Sequence, residues 1–128
     1  MKHTSKFNKK LKEYYAKHAN HPTISVIEAF KEKEGIRHYH MAFLKLTSRL
    51  GIDYTTKTLN GNYKDYIPYL KLNPDNAWEE ASGLYPLRDQ AKPFGSIDEC
   101  YLFLIGKLMD RISAIPGLED HLELRNGG

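Results

Sequence analysis

The segment Ser96–Ile112 constrains the fold most, because it predicts a long helix that must be buried along a wide face. Ser96 and Glu99 have the Ser-x-x-Glu spacing of a capping box, which marks a helix start. Apolar residues then recur at spacings of three and four, the period of one helical face. They are Ile97, Cys100 or Tyr101, Leu104, Leu108 and Ile112, widened by Phe103, Ile105 and Met109. Pro116-Gly117 ends the pattern, so we expect this helix to be the central buried one.

Three earlier segments also carry helical signals. Residues 4–19 predict an amphipathic, lysine-rich helix that His21-Pro22 stops, because the residue before proline disfavours helical backbone. A short second helix is expected with Thr23 as its cap and Gly35 at its end. A third is expected from Ile36 to Leu50, where apolar residues step by three and four.

The acidic second half predicts less regular structure. The segment NPDNAWEEASG, residues 73–83, favours a fourth helix of about two turns, since Asn73 can cap it and Pro74 suits its first position. Residues 84–95 contain two prolines and show no period, so we expect a loop. The segment LEDHLEL, residues 118–124, predicts one further acidic turn.

The segment TSRLGIDYTTKTLNGN, residues 47–62, admits two ordered structures. In a helix-turn-helix, Gly51 would form the turn and Asp53 would cap a second helix. That helix would be short and rich in threonine, a poor helix former. Asn60-Gly61 instead favours a hairpin near residues 54–67, whose two-residue turn would place Lys57 opposite Lys64. Hairpin, helix-turn-helix and an irregular segment therefore all stay open.

Length and composition indicate one domain. With 128 residues, 41% of them hydrophobic, the chain can bury one core and is too short for two. We expect residues 1–128 to form a single-domain, mainly α protein, a compact helical bundle of about five helices with room for one small β-hairpin. The basic N-terminal helix 4–19 and an acidic C-terminal half, residues 72–125, would be its two contrasting parts.

The net charge of +3 hides this asymmetry. Residues 1–20 carry six lysines and one glutamate, residues 21–71 carry eight basic and five acidic residues, and residues 72–128 carry five basic and ten acidic residues. A basic front half attracts polyanions, whereas a mixed-sign surface in the folded protein would be the ordinary alternative. Charge alone therefore points to a nucleic acid or to a charged protein partner.

The remaining sequence features concern compartment and chemistry. A lone cysteine, Cys100, cannot form an internal disulfide, which favours a reducing, cytoplasmic setting. No apolar run approaches the roughly 18 residues that cross a bilayer, so we expect no membrane association. His18, His21, His38 and His40 have no specific zinc spacing, and no glycine-rich phosphate loop or paired acid and base occurs. We therefore expect no enzyme, no cofactor and no metal site.

The best functional signal is a set of tyrosines interleaved with lysines. Such a composition combines base stacking with phosphate neutralisation, although tyrosine also anchors protein interfaces. The candidate binding residues are Lys9, Lys10, Lys45, Arg49, Tyr54, Lys57, Tyr63 and Lys64. The first hypothesis is a small nucleic-acid-binding accessory or regulatory protein. The alternative is a protein-binding inhibitor or immunity-type module, of the kind encoded by phages and toxin loci, that docks on one protein target.

Overall fold

The computed structural model describes residues 5–72, 83–86 and 94–124, and it is mainly helical. Its helices are α1 (Ser5–Lys17), α2 (Pro22–Glu34), α3 (Tyr39–Arg49), α4 (Ile97–Ser113) and α5 (Leu118–His121). Its strands are β1 (Ile52–Thr58), β2 (Tyr66–Leu72) and β3 (Gly83–Pro86). The fold prediction is thus confirmed in its main class, but an antiparallel sheet makes the protein more than a helical bundle. None of the described helices is long and apolar enough to cross a membrane.

The chain divides into two compact units. Unit 1 comprises Met1–Leu46 and Met109–Gly128, and unit 2 comprises Thr47–Leu108. Both divisions fall inside a helix, the first in α3 and the second in α4. The expectation of a single domain stays a prediction, and the two units are described one at a time below.

In unit 1, hydrogen bonds to nearby residues define both ends of α2. His21 is the N-cap, and its imidazole accepts a hydrogen bond from the Thr23 backbone N–H at 3.1 Å. Thr23, the expected cap, is instead buried and donates its hydroxyl to the Met109 carbonyl. Gly35 ends the helix at φ 67°, a left-handed conformation that glycine adopts cheaply. The next N–H, that of Ile36, donates to the Lys31 carbonyl at 3.0 Å.

That last hydrogen bond explains why α3 starts later than predicted. Ile36 closes the end of α2 instead of opening the next helix, so α3 begins at Tyr39. The predicted apolar stripe is otherwise confirmed, since Phe43, Leu46 and Leu50 are fully buried. On α1, Phe7, Leu11 and Tyr15 are buried, as the amphipathic pattern indicated.

In unit 2, the ambiguous segment is a β-hairpin, and the helix-turn-helix alternative is wrong. Strand β1 pairs antiparallel with β2, and β2 pairs antiparallel with β3. The predicted register is also wrong, because Lys57 pairs with Ile67 and Thr58 pairs with Tyr66. Lys57 therefore does not lie opposite Lys64 across the strands.

The register differs because the connection is longer than a two-residue turn. The Thr58 hydroxyl accepts from the Gly61 N–H at 3.0 Å and donates to the Asn62 carbonyl at 3.1 Å. A short 3₁₀ helix, Tyr63–Asp65, follows, with the Asp65 N–H bonded to the same Asn62 carbonyl at 3.0 Å. Gly61 has φ 78°, so the Asn-Gly turn signal marks the correct place but not the full loop.

The second half of unit 2 gives one correction and one confirmation. A loop is expected over residues 84–95, but its first residues belong to strand β3. The fourth helix is expected over residues 73–83, of which residues 73–82 lie outside the described part of the chain and Gly83 belongs to β3. Helix α4 begins as predicted, because the Glu99 N–H donates to the Ser96 hydroxyl at 3.2 Å. The Glu99 carboxylate accepts from the Gly95 N–H at 2.6 Å. The predicted burial of α4 is confirmed at Cys100, Leu104, Ile105, Leu108, Met109 and Ile112, all 0% exposed.

Candidate nucleic-acid interface

The eight predicted binding residues fall in both units. Lys9 and Lys10 lie on α1 and Lys45 lies on α3, all in unit 1. Arg49 lies at the end of α3, and the other four lie on or near the hairpin of unit 2: Tyr54, Lys57, Tyr63 and Lys64. Their role in binding stays a prediction.

Helix α1 carries a lysine face, consisting of Lys6, Lys9, Lys10, Lys12 and Lys17. Its thirteen residues hold five lysines and one acid, Glu13. At 3.6 residues per turn these positions cover the side of the helix away from the buried Phe7, Leu11 and Tyr15. All but the partly buried Lys10 are exposed, and Lys6, Lys9, Lys12 and Lys17 form no ion pair with any described residue.

Lys45 is less available than the lysine face. Its Nζ lies 4.0 Å from a carboxylate oxygen of Glu34, and its side chain is 56% exposed. Because the neighbouring carboxylate partly neutralises it, Lys45 offers a polyanion less than an unpaired lysine does. Lys45 is therefore a weaker candidate for phosphate binding than the exposed Lys9.

The hairpin tip, residues 57–66, presents exposed apolar and basic groups together. Leu59 is 54% exposed and Tyr63 is 59% exposed. The Tyr63 ring stacks on Tyr66, with centroids 5.8 Å apart and planes at 26°. Lys57 Nζ lies 5.5 Å from the Tyr69 ring centroid, within the range of a cation–π contact. The tip is thus an amphipathic surface rather than a strongly basic one, since Lys57 and Lys64 are accompanied by Asp65.

Tyr54 differs from the other hairpin tyrosines because it is engaged inside unit 2. Its hydroxyl is hydrogen-bonded to Tyr101 and Thr47, and its ring lies 6.5 Å from that of Tyr101. Burial raises the pKa of both tyrosines. These contacts account for the position of Tyr54 by packing within unit 2, and its role in binding stays a prediction.

A tyrosine cleft of about 460 Å³ lies between α1 and the start of α3, within unit 1. Tyr15 and Tyr39 form its aromatic wall, with ring centroids 4.8 Å apart. The Tyr15 hydroxyl is hydrogen-bonded to His40 Nδ1 at 2.7 Å, and the Tyr39 hydroxyl donates to the Ile24 carbonyl at 3.1 Å. The other lining residues are Asn8, Leu11, Lys12, His38 and Met41. Its volume lies in the usual range of small-molecule sites.

Sequence reasoning missed this cleft. The helical periodicity of the sequence places Tyr39, and Tyr14 or Tyr15, only among the apolar stripe residues, and His38 and His40 lack a specific zinc spacing. The signal in the sequence is that histidine and tyrosine occur close together in two segments, YYAKH and HYH, which supply opposite sides of the cleft. Tyr15 and His40 are 25 residues apart in the sequence, so only the tertiary fold brings the two segments together.

Other groups with reactive side chains are buried or have a nearby polar partner. Cys100 is buried, and desolvation raises the pKa of its thiol to about 11. His18 Nδ1 is bonded to the Tyr14 carbonyl at 2.9 Å, and His21 Nε2 lies 2.8 Å from an Asp110 carboxylate oxygen. Among residues 5–72, 83–86 and 94–124, no three histidine, cysteine or acidic side chains lie close enough to hold a metal ion.

Comparison with known proteins gives no further identification. A scan against protein-family models, a search of curated proteins and a search of solved structures each found no match. The functional argument therefore depends on the geometry of the described residues.

Proposed function

We propose that this protein acts by binding nucleic acid through the lysine face of α1, without catalysis of its own. The supporting observation is the group of four exposed lysines, Lys6, Lys9, Lys12 and Lys17, that have no ion-pair partner among the described residues. Lysines in this state can neutralise phosphates, and the release of the counterions condensed on the nucleic acid then drives binding. The cytoplasm, with Cys100 kept as a thiol, is the compartment we propose.

Fluorescence polarisation with labelled single-stranded and duplex oligonucleotides tests this function. We expect binding at about 50 mM salt that weakens steeply by about 200 mM, as counterion release requires. The variant Lys6→Glu/Lys9→Glu should weaken binding at least tenfold and reduce the salt slope by about one per lysine.

The variant Lys57→Glu/Lys64→Glu is the matched control, because it makes the same total charge change on the hairpin tip. It should retain most of the affinity. Equal losses in the two variants would indicate a response to net charge alone, and no binding by the wild-type protein at 50 mM salt would refute the proposal.

A protein-binding module is the second candidate, and the hairpin tip favours it. Leu59 and Tyr63 expose about half of their surface side by side with two lysines, and exposed tyrosines anchor many protein interfaces. Affinity capture with the wild type, Leu59→Asp/Tyr63→Ala and Lys6→Glu/Lys9→Glu separates the two functions. A partner lost only with the first variant supports the protein-binding alternative, and an unchanged capture profile in all three proteins argues against it.

A further inference from the structure

We infer that the tyrosine cleft receives one unpaired base of a single-stranded nucleic acid whose phosphates lie along the lysine face; this inference rests on the proposed function. The first step is the proximity of the tyrosine cleft to the lysine face. Asn8, Leu11 and Tyr15 line the cleft at spacings of three and four on α1, and Lys12, next to Leu11, lines it too, so the four residues share one side of the helix. Lys12 belongs both to this side of the helix and to the lysine face, and Lys9 lies one turn before Lys12 on α1, so the lysine face borders the cleft.

The second step concerns the chemistry of the lining. The wall is aromatic, because Tyr15 and Tyr39 lie side by side and His40 stacks on Phe43 at 6.0 Å. The exposed side chains of Asn8, Lys12 and His38 supply polar groups at the opening. A flat heterocycle with polar edges and an attached anion fits this combination, and a nucleotide unit has all three properties.

The third step excludes a base that remains in a duplex. Stacking in double-stranded nucleic acid covers both faces of each base, so a base reaches a protein cleft only when it is unpaired or extruded. A single strand offers its bases without that cost. We therefore expect preference for single strands, which the lysine face alone would not produce.

A comparison of two 12-nucleotide strands tests the cleft separately from the lysine face. One strand is oligothymidylate, and the other is an abasic strand with the same number of phosphates. We expect oligothymidylate to bind about tenfold more tightly at the same salt concentration, because only its bases can stack on the aromatic wall of the cleft. Equal affinities for the two strands would overturn the inference while leaving the proposed function standing. Absence of binding by both strands at 50 mM salt would overturn the two together.

The variant Asn8→Ala/His38→Ala removes two exposed lining groups without touching the buried wall. It should lower the affinity for oligothymidylate by about fivefold to tenfold and leave that for the abasic strand unchanged. The variant Thr55→Ala/Asn60→Ala, on the exposed hairpin of unit 2, is its control and should bind both strands as the wild type does. A loss of affinity for both strands in Asn8→Ala/His38→Ala would contradict a base-binding role.

Photocrosslinking identifies the residues that touch the base. A strand with one 5-bromouracil should crosslink to the peptides that contain Tyr15 or residues 38–41. Crosslinks confined to the hairpin tip would overturn the assignment. Thymidine monophosphate is added as a competitor, and displacement of the strand by micromolar amounts would show that the cleft takes a free nucleotide instead of a strand.

Discussion

At the scale of single residues, buried polar groups in this protein are matched to specific partners. Thr23 is 0% exposed, and its hydroxyl donates to the Met109 carbonyl, 86 residues further along the chain. Cys100 is equally buried, but burial removes solvent from its thiol and so raises the pKa of that group. The two side chains are of similar size, and they lead to different predictions because only one has a polar partner.

Replacing Thr23 with valine should lower the free energy of unfolding by about 1–3 kcal/mol, because the Met109 carbonyl loses its buried donor. Valine keeps the volume of threonine, so the packing change is small. Urea unfolding followed by circular dichroism measures the effect. Thr55→Val makes the same chemical change on an exposed position and should have almost no effect, whereas equal effects at both sites would contradict this account.

Cys100 should react slowly with thiol reagents in the folded protein. With the pKa raised to about 11, about one thiol in a thousand is ionised at pH 8, and the thiolate is the reactive form. Absorbance at 412 nm with dithionitrobenzoate follows the reaction. Unfolding in guanidinium should restore rapid reaction, and a fast reaction in buffer alone would show that Cys100 is accessible.

At the scale of elements, the ends of helices and strands decide where the sequence-based predictions succeed. Gly35 and the Ser96 to Glu99 capping box were readable because their signals are local and their hydrogen bonds stay within a few residues. The start of α3 was misplaced because Ile36 serves both as an apolar residue of the stripe and as the donor that closes α2. A local sequence signal therefore predicts a helix end best when the residue that carries it takes part in only one element.

Gly35→Ala should cost about 1 kcal/mol of stability. The Cβ would meet nothing within 4 Å, so the cost comes only from the left-handed backbone. Gly35→Asn should cost less, since asparagine tolerates this conformation better than alanine does. Chemical denaturation ranks the three proteins, and an alanine variant as stable as wild type would show that the backbone at residue 35 is not left-handed.

The hairpin register gives a further prediction. Nuclear Overhauser contacts should connect the backbone of Lys57 with Ile67 and that of Thr55 with Tyr69. The register that a two-residue turn implies would instead bring Lys57 against Lys64. The sequence showed the turn through Asn60-Gly61, but the hydrogen bonds of Thr58 that lengthen the loop have no comparable signature.

At the scale of the whole molecule, burial raises the pKa of Tyr14, Tyr39, Tyr54 and Tyr101. In the unfolded chain a tyrosine loses its proton near pH 10. Above that pH the unfolded state binds fewer protons than the folded state, so the free energy of unfolding falls as pH rises. The contribution of these groups is fully present below about pH 10.

Urea unfolding between pH 8 and pH 11.5, with absorbance at 295 nm as the monitor of tyrosinate, measures this dependence. Stability should decline above about pH 10, and part of the tyrosinate signal should appear only on unfolding. Tyr39→Phe should flatten the decline, whereas Tyr63→Phe changes an exposed ring and should keep the wild-type curve. A decline of the same steepness in Tyr39→Phe would contradict the assignment.

The fold class and the lysine face could be predicted because both follow from patterns within one helix. The tyrosine cleft could not, since α1 and α3 contribute its two sides and no periodicity in either segment reports their pairing. For the same reason the sequence places Tyr54 among the candidate binding residues without indicating that Tyr101 lies beside it. The proposed base-binding role depends on contacts between segments, and a single sequence carries little information about them.

Oxidation of Met41 would change the chemistry of the tyrosine cleft. Met41 is 57% exposed at the cleft, whereas Met109 is fully buried, so air and peroxide would convert Met41 to the sulfoxide first. The sulfoxide is polar and is reversed only by a reductase or by chemical reduction. Two preparations of the same chain, one fresh and one aged, would then differ by one oxygen atom at the cleft.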